Sequence, residues 1–354
     1  MSFLGWAWLA LAAGCSPSSP SAAPNDAATP DTSAPDAGSA WQVVLDGTAL
    51  TRDLLSVWGS STRDVFAVGG PLGNTPLPAL ALHFDGTAWH DLAAGGGDSF
   101  WWVYGSGPND VWMVGEKGRM THWDGTALTE SPRMTTATLY GVWVFSPTDA
   151  WAVGGTPEGG ASAPNDVLLH WDGAVWSPSP LPQALGRTLF KVWGTDSNNL
   201  YAVGEAGTVW HKKGATWTLE SSPPLAQGTL FTVFGCSASE VYAVGGRDVL
   251  RSDGAAWAKV DLTLTNDVNG VGCAAPGVVA IDGFGALKQR LVGGAWANES
   301  SDPPLVDLHA VWADPSGAFW VAGGDFVASP SPGKPRAGML ARYGLGSVSA
   351  TIAR

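Results

Sequence analysis

The chain has 354 residues, with 31 acidic against 18 basic side chains and a net charge of −13. That balance excludes nucleic-acid binding as a main role, because phosphate contacts need a basic face. It suits a soluble protein that resists non-specific association.

The first elements in chain order are a leader and a tether. Phe3–Ala13 is an apolar run too short to span a bilayer but of the length of a signal-peptide core. It runs into Ala12-Ala13-Gly14-Cys15, which resembles a bacterial lipobox, although Leu11 sits one place early and no Lys or Arg precedes it. The resemblance implies a lipoprotein-type signal over residues 1–14, cut before a lipidated Cys15, and Ser16 implies sorting to the outer membrane. Residues 15–37 are rich in Ser, Pro, Ala and Asp and are predicted to be a disordered tether. The expected location is therefore exported: outer membrane or cell surface, or released extracellularly, with the lipid as the sole membrane contact.

From residue 38 onward the chain repeats itself. Seven pairs of large apolar residues recur at a spacing of eight: Trp58/Phe66, Tyr104/Trp112, Trp143/Trp151, Trp193/Tyr201, Phe234/Tyr242, Val271/Val279 and Trp312/Trp320. The surrounding phrases are alike, as in VWGSSTRDVFAVG at 57–69 and VWGTDSNNLYAVG at 192–204, followed by HFDGTAW at 83–89 or HWDGAVW at 170–176. Each copy supplies four short stretches of β-formers separated by Gly, Asp, Asn, Ser and Pro. Four strands per copy at this period predict an all-β, seven-bladed β-propeller of four-stranded antiparallel blades, occupying 38–354 as one domain. The glycines that close the second strand, Gly69, Gly115, Gly154, Gly204, Gly245 and Gly323, suggest a turn with positive φ. Twenty tryptophans read mainly as wedges between sheets.

Ring closure is also suggested. The seventh copy lacks the Gly-x-x-Trp phrase of the fourth strand, and that phrase occurs instead at Gly38–Trp41. The N-terminal segment 41–45 is thus expected to complete the last blade, with Ser347–Ile352 as the alternative. Cys236 and Cys273 stand at the same place in consecutive copies, two residues after Phe234 and Val271, and either a disulfide or two buried thiols fits an exported chain. His83, His122, His170 and His211 share one repeat position too far from the axis to share an ion, which predicts structural hydrogen bonds and no metal. No cofactor is expected, since no P-loop, GxSxG, HExxH or EF-hand pattern occurs.

Two kinds of connection hold constant length and the other two vary, so the variable loops lie on one face. At its central mouth the residue before the first-strand valine differs between copies: Ser56, Trp102, Gly141, Lys191, Thr232, Asn269 and Ala310. The ligand-binding candidates are Trp101 or Trp102 as an aromatic platform, with Lys191, Thr232 and Asn269 beside it. No catalytic residue is assigned. A non-catalytic binding module for a protein or glycan at the cell surface, monomeric, is expected. The alternatives are an exported glycosidase or lyase using acids such as Glu158, Asp166 and Asp325, and a structural envelope component.

The V-W-G-S-x-x-D-V-W-A-V-G and H-W-D-G-x-x-W wording resembles the propeller repeats of exported bacterial lipoproteins. It is more distantly similar to the Asp-box repeats of sialidases and to Ycf48-type photosystem assembly factors. The likeness to sialidases ends at the turn, without their trio of arginines or Tyr–Glu pair. What the resemblance implies is a scaffold, and a scaffold does not determine a function.

Overall fold

The computed structural model describes residues 40–71, 77–157, 159, 162–220, 226–301, 304–326, 336–344 and 346–353. The leader, Cys15 and the tether lie outside them, as does Glu158. Seven antiparallel sheets follow one another along the chain. Their inner strands are Asp53–Ser61, Phe100–Gly107, Thr138–Ser146, Leu189–Asp196, Thr232–Ser237, Val268–Ala275 and Asp307–Ala313, taken as blades 1 to 7. Each is followed outward by three further strands, and no α-helix occurs among the described residues.

The ring closes through the N-terminus. Ala40–Leu45 is the outermost strand of blade 7, antiparallel to Gly338–Gly344, with Trp41 opposite Tyr343. Trp41, Val44 and Leu45 are buried, and the Trp41 indole donates to Glu299 at 3.0 Å. The C-terminal alternative does not take that place. Ile352–Ala353 instead pairs in parallel with Trp89–Asp91, as a fifth strand on blade 1. Both termini thus cover sheet edges that would otherwise offer unpaired backbone groups.

The V-W-G phrase has a packing cause. Aromatic side chains on the inner strands touch around the axis, from Trp58 to Tyr104 at 5.4 Å, Tyr104 to Trp143 at 4.0 Å and Trp143 to Trp193 at 6.0 Å. Trp143 also meets Phe234, two blades away, at 5.7 Å, so the rings meet across the central channel. Three of the inner-strand indoles, Trp312, Trp58 and Trp193, lean on a glycine of the next blade. A Cβ at Gly59 would stand 2.9 Å from Trp312, at Gly105 2.7 Å from Trp58, and at Gly235 2.3 Å from Trp193.

The glycines that end the second strands need a different explanation from the one the sequence suggested. Gly115 and Gly204 have φ of −170° and −169°, extended values open to any residue. What excludes a side chain is the backbone opposite. A Cβ at Gly69, Gly115, Gly204 or Gly323 would lie 1.9 to 2.1 Å from the carbonyl of Asp53, Ser99, Thr188 or Asp307. Close approach, and not handedness, selects glycine there.

Blade 6 corrects the repeat alignment by one residue. Gly272 pairs with Ala280, where the other blades pair aromatics, while Val271 faces Ile281. Gly283 then becomes the strand-ending glycine, its Cβ position 2.0 Å from the Asp267 carbonyl. Cys273 faces Val279 as Gly235 faces Val241, so the two cysteines stand one position apart in the repeat. They are joined as a disulfide between blades 5 and 6, with Cα atoms 5.4 Å apart. Its partners are 37 residues apart, and closing a loop of that size in the unfolded chain is worth about 4 kcal/mol on a chain-entropy basis.

The repeated histidines are structural in their contacts. Nε2 of His83, His122 and His170 bonds Asp64, Asp110 and Asp149 at 2.6, 2.8 and 3.0 Å. Nε2 of His211 bonds Asn199 at 2.7 Å. Each ring lies against the aromatic residue of the strand beside it, as His83 on Phe66 at 4.3 Å and His211 on Tyr201 at 3.8 Å. In blade 1 the Ser60 hydroxyl donates to the same aspartate. Serine and histidine therefore both bond the acid and not one another, which is a turn clamp and not a nucleophile–base pair.

Candidate functional site

In six blades the pairing of the inner strand with its neighbour skips one residue near the start: Leu55, Trp101, Tyr140, Phe190, Asn269 and His309. Phe231 fills the same place in blade 5, where its N–H and the pairing of Thr232 both fall on Val244. A residue extra to the ladder is a β-bulge, which bends the strand and re-aims a side chain. Here all seven point to one place. They line a cavity of about 380 Å³, together with Lys191, Thr232 and the loop residues Pro157, Phe284 and Phe326. That size is ordinary for a ligand pocket. The three loop residues follow the second strands of blades 3, 6 and 7, so the pocket opens on the variable-loop face.

The walls are mostly aromatic and continuous. Trp101 meets Tyr140 at 4.8 Å, Tyr140 meets Phe190 at 4.8 Å, and Phe190 meets Phe231 at 5.3 Å. On the other side Trp101 reaches past Leu55 to His309 at 5.6 Å, and His309 meets Phe326 at 5.8 Å. The small side chain of blade 1 leaves room for that reach. Rings at these separations and tilts favour one another through their quadrupoles and hold the wall in shape.

Few polar groups enter. The Thr232 hydroxyl donates to the Asn269 carbonyl at 2.7 Å, and the Asn269 amide donates to the Leu308 carbonyl at 3.4 Å. His309 Nδ1 lies 2.7 Å from the Leu55 carbonyl, which fixes the proton on Nδ1 and leaves Nε2 as an acceptor. Burial, with the charge of Lys191 second, lowers His309 to about 3, so its ring is neutral at physiological pH. Lys191 is buried, donates to the Tyr140 carbonyl at 2.8 Å, and lies 4.1 Å over the Trp102 ring. Desolvation pushes its amine down to about 7. Burial also raises the Tyr140 phenol above its ordinary value.

Of the sequence candidates, Trp101, Lys191, Thr232 and Asn269 line the cavity. Trp102 does not: it is in the ladder, opposite Val114, and serves as the surface under Lys191. Ser56, Gly141 and Ala310 are likewise in the ladder, and Ser56 accepts a hydrogen bond from the Val103 N–H of the next blade at 3.2 Å. The reading of residue types was one position late, because the bulge rotates the preceding residue into the mouth. The missed members of the bulge ring are Leu55, Tyr140, Phe190, Phe231 and His309. Their signal was two adjacent large side chains, as in Leu54-Leu55 and Leu189-Phe190, breaking the alternation of a strand. Asn269 was selected only because the blade 6 alignment carried a compensating slip.

Two of the acids considered for catalysis, Asp166 and Asp325, are elsewhere. Asp166 accepts from the N–H groups of Leu185 and Gly186 at 2.9 and 2.6 Å, and neither it nor Asp325 lines the cavity. No group of three or more metal-ligating side chains occurs among the described residues.

No protein-family model matches the chain, and no curated protein matches it in sequence. Solved structures do match in shape. A YCF48 bound to D1 peptide is 15% identical with a TM-score of 0.62, over 86% of this chain and 97% of that one. YCF48 from Cyanidioschyzon merolae is 15% identical with a TM-score of 0.61, over 86% and 98%. The WD40 β-propeller domain of Doa1 is 10% identical with a TM-score of 0.64, over 85% and 96%. At these identities the likeness is one of fold: a seven-bladed propeller.

Proposed function

We propose that the protein is a non-catalytic binding module that takes a peptide segment of a partner protein into the mouth pocket. The observation that carries this is the bulge ring: every blade contributes one side chain that is extra to the ladder, and all seven converge on one aromatic-walled cavity. Six blades that each re-aim an aromatic, histidine or asparagine at the same point do more than packing requires. A propeller solved with a peptide bound has the same fold as this chain, which supports a protein-type partner.

The test is selection of peptides from a displayed library on the full-length protein, followed by measurement on Phe190→Ala. Loss of an aromatic anchor in a desolvated pocket costs about 2 kcal/mol, so affinity should fall roughly thirtyfold while the circular dichroism spectrum is unchanged. Peptides that bind Phe190→Ala as well as the parent would end this reading.

The same proposal places the module at the cell envelope, on a lipid carried by Cys15 and the Ser/Pro/Ala-rich segment after it. The apolar run ahead of Cys15 supports it. Cys15→Ala is expected to move the protein from the membrane to the soluble fraction of the producing cell, as measured by fractionation and immunoblot. Unchanged partitioning would remove the anchor from the account.

A further inference from the structure

We propose that the ligand group recognised in the mouth pocket is a carboxylate carried on an apolar body, with Lys191 as its cationic partner. This rests on the pocket being the binding site and adds what is bound there.

Lys191 is 4% exposed and hydrogen-bonded to the Tyr140 carbonyl. A buried ammonium is ordinarily matched by a carboxylate, yet no acid lines the cavity and no ion pair reaches Lys191 among the described residues. An ammonium has three N–H donors, so the Tyr140 bond leaves two. The Asn269 amide spends one N–H on Leu308 and keeps another. These donors stand on blades 4 and 6 with Thr232 of blade 5 between them, along one side of the cavity. His309 has only a lone pair to offer, and the Trp101 and Tyr140 rings form the aromatic side, with the Trp101 indole N–H as a further donor that has no partner among the described residues. One cation and an amide match a single negative charge. A phosphate dianion calls for a cluster of cations or a guanidinium fork, and no arginine among the described residues lines the cavity. The Trp102 ring beneath the amine favours its charged form when an anion arrives.

Proton uptake gives the proposal a signature. Burial holds the Lys191 amine at about 7. A carboxylate beside it raises that pKa, so binding at about pH 8 should take up close to one proton, and binding at about pH 6, where the amine is already charged, much less. The titratable groups facing Lys191 are His309 and the Tyr140 phenol, with Glu116 and Glu205 acting on that phenol and Tyr201 on the adjoining strand. The phenols titrate well above this range.

The experiment is calorimetric titration of the full-length protein in two buffers of different ionisation enthalpy. The probes are N-acetylphenylalanine, its amide, and the pentapeptide Ala-Ala-Ala-Ala-Phe with a free or an amidated end. The expected result is that at least one acid binds about tenfold or more tightly than its amide, with proton uptake at the higher pH. Lys191→Met should lose both the preference and the uptake. Lys191→Arg, charged at every pH, should keep the preference and lose the uptake. Binding by the pentapeptide acid alone identifies a chain terminus as the source, and binding by N-acetylphenylalanine identifies a small acid. Equal binding of acids and amides, an acid preference that survives Lys191→Met, or no binding overturns the carboxylate. Equal binding of the two pentapeptides that is lost in Phe190→Ala would overturn it while leaving the peptide module standing.

Discussion

Asp282→Val is expected to stabilise the protein by about 2–4 kcal/mol near neutral pH, because it removes a buried, unpaired acid. Asp282 is fully buried on the second strand of blade 6, opposite Gly270. The equivalent residues Val68, Val114, Val153, Val203 and Val244 are apolar and buried. Neither carboxyl oxygen has a hydrogen-bond partner of normal geometry. The Gly270 amide and Lys288 lie near enough only to moderate the effect of burial, which raises the group to about 8. The unfolded chain ionises the same acid near pH ~4. The folded state therefore holds a proton that the unfolded state has lost, and stability drains away as pH rises from about 4 to about 8, by up to ~1.4 kcal/mol per unit. Lys191 and His309 have lowered pKa values and act in the opposite sense, so the difference between variant and parent isolates Asp282. Between about pH 5 and about pH 7.5 the urea midpoint of the parent should fall relative to that of the variant. A variant no more stable than the parent, with the same slope, would mean that the acid has a partner.

Deleting residues 1–47 should abolish a stable monomer. The lost strand, Ala40–Leu45, carries three buried side chains, Trp41, Val44 and Leu45. At about 1.5–3 kcal/mol each their burial approaches the whole stability of a typical domain. The deletion also strips the backbone partners from Gly338–Gly344, leaving an open edge that invites association with other chains. Size-exclusion chromatography and thermal melting should show aggregation or a melting point far below that of the parent. A permuted chain that joins Gly344 to Ala40 by an Asp-Gly turn, as blades 1, 2, 3 and 5 join third to fourth strands, with new ends in the exposed Gly293–Gly294 turn, should recover the monomer. A truncated chain that melts like the parent would show that closure contributes little.

The blades, their number and the face carrying the variable loops were legible in the sequence because repetition averages out local ambiguity. Seven varied copies of one repeat say more than any one strand could. What escaped was backbone geometry that residue types do not spell. The bulge at Leu55, Trp101, Tyr140, Phe190, Phe231, Asn269 and His309 shifts facing by one residue, so an alternation counted from Val57 reaches Ser56 when the mouth is lined by Leu55. Blade 6 was misaligned because Gly272 and Ala280 replace its aromatics, and Val271 and Val279 nearby satisfied the same spacing. The glycines were correctly placed as strand ends for the wrong reason, since a carbonyl two ångströms away is visible only once strands are paired. The lysine was chosen for its variability; that it has no acid partner among the described residues followed only from the packing.

A chain whose opening strand completes its closing blade cannot mature while it is still being made. Ala40–Leu45 waits for Gly338–Gly344, so every nascent intermediate is an arc with two bare ends. Such contacts, remote in sequence, make for slow assembly. Circularisation is thereby postponed until Gly338–Gly344 has been made.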